Sequence, residues 1–224
     1  MIRNRFRGAP ATGWLLGAIL VGYAFEVLTG SWNSPGDLAM RLAIYPPAIQ
    51  LGEYWRLLTA IFLHGGLLHL FVNLFSLFQI GTLYEVMFGT RRFLVVYFAT
   101  GLVASITSYV HLLHTFPDEA SLGASGALFG ILGAFVFSVR RSPRWRHERA
   151  ARNLVGQCVF WIVANLVILS QVPQIDNAAH IGGCLAGLIL GAALPHRVPP
   201  PPPATTVVDV TPYESPSAPP QHEP

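Results

Sequence analysis

Apolar residues along the chain gather into six long runs, Thr12–Leu28, Leu67–Met87, Phe93–Leu113, Ser125–Val139, Leu154–Ser170 and Ala178–Leu194, each bounded by polar or basic residues. Runs of this kind approach the roughly 20 apolar residues that cross a bilayer as a helix, which lets every backbone polar group bond within its own segment. The pattern therefore predicts an all-α fold, a polytopic membrane protein of six transmembrane helices. Between the first two runs, residues 30–66 carry Pro35, Pro46 and Pro47 mixed with Leu42, Ile44, Trp55, Leu57 and Phe62. That mixture reads as a long first loop lying partly embedded at the interface. No internal repeat of fixed period is visible, which weighs against the inverted-repeat plan of many transporters.

Composition agrees with the pattern: 52% of the 224 residues are hydrophobic and 11% charged, far from the balance of a soluble domain. A formal charge of +3 would suit nucleic acid as a partner, but the basic side chains sit in short clusters at the ends of apolar runs, where they set topology. With six spans, Arg3, Arg5, Arg7, Arg91, Arg92, Arg140, Arg141, Arg144, Arg146, Arg149, Arg152 and Arg197 fall on one side, and only Arg41 and Arg56 on the other. The lipid bilayer is thus the expected partner, nucleic acid is not, and both termini are expected in the cytoplasm of a bacterial cell whose inner membrane holds the protein. The first run lacks a small-x-small cleavage site and is read as a helix, not a signal peptide. Cys158 and Cys184 both lie in apolar runs and read as packed free thiols. Three regions follow: a cytoplasmic segment 1–11, a membrane domain 12–195, and a Pro-rich tail 196–224, expected to be disordered, whose composition cannot bury a core.

The candidate chemistry starts at Gly123-Ala124-Ser125-Gly126, which opens the fourth run. Fifteen helical residues cover about 22 Å against a hydrocarbon core of about 30 Å, so Ser125 is expected below the outer surface, beside backbone that must line a wet cavity or be buried in protein. His180 stands at the same end of the sixth run, followed by Gly183, Gly187 and Gly191 at four-residue spacing. Glycine-faced helices approach closely, which would bring His180 to hydrogen-bond reach of Ser125 as its general base. His69 and Asn73 share one face of the second run at i,i+4 and can donate to an oxyanion, together with the N–H groups at the start of the fourth helix. No aspartate accompanies His180 in that half of the membrane, so the expected arrangement is a Ser–His dyad. A metalloprotease is disfavoured, since no His-Glu-x-x-His is present, and no Asp lies in any run for an aspartyl mechanism. Neither metal nor cofactor is called for.

Trp55-Arg56, His69-x-x-x-Asn73, Gly81-x-x-x-Glu85-x-x-x-Gly89, Gly123-x-Ser125-Gly126 and Ala179-His180 with Gly183 and Gly187 occur in an order and spacing that resembles the rhomboid family of intramembrane serine proteases. The resemblance spans residues 13–194. It implies a six-helix rhomboid bundle in which Ser125 is the nucleophile, His180 the base, and His69 and Asn73 line the oxyanion hole. Substrates would be transmembrane segments of other membrane proteins, cut near the outer face. Phe129 stands where some members carry a tyrosine that stacks on the catalytic histidine. The alternatives are a non-catalytic rhomboid-like protein that binds transmembrane segments, and after it a small transporter. Glu85 is expected to make structural hydrogen bonds, Trp55 and Arg56 to anchor the first loop at the interface, His64 to pack in that loop, and His111 and His114 to be solvated at the end of the third helix. Phe160 and Trp161 read as lipid-facing or core aromatics, and the resemblance implies that they lie on the helix bordering the route by which a substrate would enter.

Overall fold

The computed structural model describes residues 8–30, 37–168 and 175–195. Arg3, Arg5, Arg7, Pro35, Ser170 and the tail from residue 196, with Arg197, lie outside the described residues. Among the described residues, six long helices occupy the six apolar runs: α1 (Pro10–Thr29), α5 (Leu67–Phe88), α6 (Thr90–Thr115), α7 (Ser125–Arg141), α8 (Arg149–Ile168) and α9 (Asn177–Ala193). Three short helices, α2 (Asp37–Leu42), α3 (Pro46–Gln50) and α4 (Arg56–Thr59), fold the first loop. α1, α5, α6 and most of α8 are long and apolar enough to cross a membrane, whereas α7 and α9 are shorter, at 17 residues each. The helices extend past the apolar runs by a few residues, because polar residues such as Thr90 and Arg149 continue the helical backbone beyond the hydrocarbon. One departure is internal to α5, where the backbone widens into π geometry over Leu77–Gly81; such a bulge inserts a residue that hydrophobic periodicity does not register.

α7 is the axis of the bundle. Thirteen of its residues, from Gly126 to Val139, are buried, while α8 shows Phe160 and Trp161 to the outside with more than half of their surface exposed. Large apolar side chains on the outer faces of α1, α5 and α9, among them Trp14, Phe71, Phe75 and Ile189, are likewise exposed, as lipid-facing positions of an integral membrane protein are. α7 and α9 make the most extensive helix pair. A methyl group at Gly187 would stand 2.0 Å from the Gly130 carbonyl oxygen, and one at Gly183 would stand 2.1 Å from that of Gly126, so the glycine face of α9 is what allows the two backbones to touch. In a membrane, where apolar burial gives no driving force between helices, close packing of this kind holds them together.

Polar side chains fasten the ends. The Glu85 carboxylate accepts from the N–H groups of Ala11 and Thr12 at 3.0 and 2.8 Å, and from the hydroxyls of Thr12 and Thr90 at 2.8 and 2.7 Å. It thereby caps the N-terminus of α1, whose own Ala9 offers no side-chain acceptor, and the structural role expected of it holds. Arg56 anchors the first loop from within. It is buried, donating to the carbonyls of Met40 and Ala43 at 2.7 and 3.1 Å while paired with Glu53 at 2.6 Å. A guanidinium has five donors, enough to collect the carbonyls of a tightly turned loop, whereas Trp55 beside it is exposed. Cys158 and Cys184 are buried free thiols.

Candidate active site

Two segments meet where α7 begins. Residues 121–124 approach it as irregular backbone fixed on the first loop: Ser121 and Ile44 exchange both backbone hydrogen bonds at 2.9 and 3.0 Å, and Gly123 N–H donates to the Ala60 carbonyl at 2.9 Å. Gly123 has φ +131°, a conformation that L side chains rarely adopt. Ser125, the first residue of α7, follows at half burial. From the other side, α9 is capped by Asp176, whose carboxylate accepts from Ala179 N–H at 2.9 Å, from the Ser121 hydroxyl at 2.7 Å and from the Ser108 hydroxyl. One carboxylate thus joins α6, the segment leading to Ser125 and the first turn of α9.

His180 lies in that first turn. Its Nε2 is 2.9 Å from Ser125 Oγ, and its ring stacks on Phe129 with centroids 4.2 Å apart and planes 9° from parallel. Glycine contacts between α7 and α9 set the separation, and Phe129, one turn after Ser125, sets the ring plane. If Nε2 accepts the serine proton, Nδ1 carries the ring's own. Nδ1 is buried and has no hydrogen-bond partner among the described residues, since Asp176 is engaged elsewhere.

His69 and Asn73 rise from the first turns of α5. A methyl group at Gly123 would stand 2.8 and 2.9 Å from His69 Cε1 and Nε2, and 3.9 Å from Ser125 Oγ, so the imidazole edge lies against the backbone beside the serine. Asn73 is buried and donates one amide proton to the His69 carbonyl at 2.9 Å; its second amide proton remains for another acceptor. His69, Asn73, Ser125 and His180 all line one cavity of about 1880 Å³, which extends between α5 and α8 past Phe75 and Trp161. At the positive end of α7, the first backbone N–H groups have no intrahelical partner. A hydroxyl within hydrogen-bond reach of an imidazole, with donors converging from two sides, has the parts for acyl transfer.

Sequence reasoning missed two residues here. Asp176 stands two positions before the sixth apolar run, where it reads as a loop residue; its place three residues before the N–H it caps is the signal that finds it. Glu26, the one charge in the first run, is buried and accepts from His64 N–H at 2.7 Å. His64 packs in the loop as expected, its ring edge-on to His69 with centroids 5.0 Å apart. Burial, and after it the neighbouring His69, push the His64 imidazole down to about 3. His111 and His114 are exposed at the end of α6.

Comparison with known proteins places the chain in a family. The chain is 39% identical over 189 residues to Rhomboid protease GluP of Bacillus subtilis, covering 84% of this chain and 35% of that protein. RHOMBOID-like protein 5 of Arabidopsis thaliana is 40% identical over 65% of this chain and 46% of its own length, and Rhomboid-like protease 3 of Toxoplasma gondii is 30% identical over 79% and 66%. The chain therefore spans less than half the length of the first two relatives and about two thirds of the third. The family model of the Rhomboid domain matches residues 51–197, the stretch that carries the first-loop arginine, both histidines and the serine, and the chain belongs to the rhomboid family.

Proposed function

We propose that the protein is an intramembrane serine endopeptidase that cleaves transmembrane segments of other membrane proteins. Ser125 Oγ attacks the scissile carbonyl while His180 Nε2 takes its proton, and His180 later returns that proton to the leaving amine. Negative charge on the tetrahedral oxygen is met by His69, Asn73 and the N–H groups at the start of α7. No further acid is assigned: Phe129 and the helix packing orient the imidazole, so the nucleophilic unit is a dyad. The observation that carries this reading is the 2.9 Å approach of Ser125 Oγ to His180 Nε2 at the wall of a large apolar-lined cavity. A substrate helix must unwind to expose a carbonyl, since a helix hides its carbonyls in its own hydrogen bonds. The cavity between α5 and α8 gives that segment a lateral way in.

In this reading residues 12–195 form a six-span domain, residues 1–11 and 196–224 flank it, and the arginine-rich end faces the cytoplasm of a bacterial inner membrane. A fluorophosphonate is expected to label the wild type in liposomes. Ser125→Ala and His180→Ala are each expected to lose both labelling and cleavage of a reporter span. Persistent cleavage by purified Ser125→Ala would sink the assignment. Labelling absent from a folded wild type would favour a non-catalytic binder of transmembrane segments.

A further inference from the structure

The end of the bundle away from Ser125 carries an arginine cluster that neither catalysis nor internal pairing uses. Arg140 and Arg141 close α7, Arg144 and Arg146 lie in the connecting turn, and Arg149 and Arg152 open α8; all six are exposed. None forms an ion pair among the described residues. Glu148 is the only acid in residues 140–152, and among the described residues the other carboxylate near this end, Glu85, is buried and spent on α1 and Thr90. Arg92, by contrast, is used internally, donating to Ser138 Oγ and to the carbonyls of Gly191 and Pro195.

Two features separate this cluster from charge that only sets topology. The turn is built: Trp145 N–H donates to Ser142 Oγ at 3.3 Å, Trp145 Nε1 donates to the Met87 carbonyl at 3.4 Å, and the Arg144 guanidinium lies 4.5 Å from the centre of the Trp145 ring. The backbone that carries the arginines is therefore anchored at Trp145, and the Arg144 guanidinium is placed on its ring. The second feature is the placement of Arg149 and Arg152 in the opening turns of α8, whose first turn has no acidic residue. Cations at a helix N-terminus are disfavoured by the helix dipole; Glu148, directly before α8, offsets only part of the local positive charge, and an external anion there meets the remaining arginines. Because this turn joins two helices of the membrane domain, it lies at headgroup depth, where the anions at hand are lipid phosphates.

We propose that the turn between α7 and α8 is a docking surface for anionic phospholipid headgroups, with Arg144, Arg146, Arg149 and Arg152 as the phosphate-binding side chains. Juxtamembrane clusters of four to eight basic residues attract anionic lipid at about 1 kcal/mol per residue, which converts to roughly fivefold in affinity for each arginine removed. The surface is independent of the peptidase reading, and its test does not use activity.

The full chain is placed in phosphatidylcholine nanodiscs with and without phosphatidylglycerol, and retained lipid is counted by native mass spectrometry while thermal unfolding is followed. Wild type is expected to retain phosphatidylglycerol and to unfold at higher temperature in its presence, less so in high salt. The quadruple Arg144→Gln, Arg146→Gln, Arg149→Gln, Arg152→Gln variant is expected to lose retention at least a hundredfold, by about fivefold per site, and to lose the thermal shift. The corresponding quadruple Lys variant, which keeps the charge and guards against misfolding of the Gln form, is expected to keep most of both. Equal retention by wild type and a folded Gln variant would overturn the proposal. So would an equal thermal shift from inorganic phosphate alone, which would assign the cluster to a free anion.

Discussion

Gly123 shows how a single residue can be fixed by two demands at once. Its φ of +131° and its contact with the His69 ring each exclude a side chain. Gly123→Ala is expected to lower stability by about 1–3 kcal/mol through backbone strain, and to slow fluorophosphonate labelling of Ser125 further, because the methyl displaces His69 by several tenths of an ångström. Labelling at the wild-type rate would show that His69 does not need its place. Asn73→Ala should cost roughly 2–4 kcal/mol in transition-state stabilisation, read as a fall in kcat/KM on a reporter span; unchanged rates for it and for His69→Ala would remove both from the oxyanion site. His64 makes a separate prediction in pH. Its imidazole titrates near 3 when folded, against 6.5 as the ordinary value, so the unfolded chain binds the extra proton between these limits. Stability contributed by neutral His64 is therefore complete above about pH 6.5 and is lost as pH falls towards 3. His64→Phe should flatten the dependence of unfolding midpoint on pH across that window; an identical slope in both proteins would contradict the burial of the ring.

At the scale of elements, periodicity and composition located the long helices among the described residues, four of them long and apolar enough to cross a bilayer, because an apolar run of that length can satisfy its backbone only as a helix. They also located the pairing of α7 with α9, since glycines at four-residue spacing leave a face that only another backbone can fill. What they could not locate was anything settled by a partner distant in sequence. Arg56 reads as an anchor of the first loop because local sequence shows a tryptophan and an arginine side by side, whereas the carbonyls it collects belong to Met40 and Ala43. The π segment of α5 is silent for a similar reason, its extra residue being absorbed without a change in hydrophobic character. The Ser125–His180 meeting was legible because each residue is polar at the same end of an otherwise apolar helix; the Asp176 clasp was not, because a loop aspartate has many uses. Asp176→Ala removes an N-cap and two hydroxyl contacts, and an N-cap loss alone costs about 0.5–2 kcal/mol. Asp176→Asn keeps the cap oxygen and can donate to either serine. The Ala variant is expected to unfold at a lower temperature and to label more slowly than the Asn variant; equal behaviour of the two would mean that the clasp does not hold α9 in register.

For the whole molecule, the two ends of the bundle differ in charge. Among the described residues, Arg91, Arg92 and the six exposed arginines of residues 140–152 lie with Glu85 and Glu148 at the end where α6 and α8 begin, while Glu53, Asp118, Glu119 and Asp176 lie with Arg41 and Arg56 at the end that holds Ser125. Basic residues flanking short loops are retained on the cytoplasmic side, so the proposed function has the cavity mouth and Ser125 facing the outside. Cys158 and Cys184 are buried, which makes thiol accessibility a clean reporter once both are replaced by alanine. In that background, Glu119→Cys should react with a membrane-impermeant maleimide on intact cells, and Arg146→Cys only after the cells are opened. The reverse pattern would place the serine on the cytoplasmic side, and the substrates to be sought would then be segments that unwind near the inner leaflet.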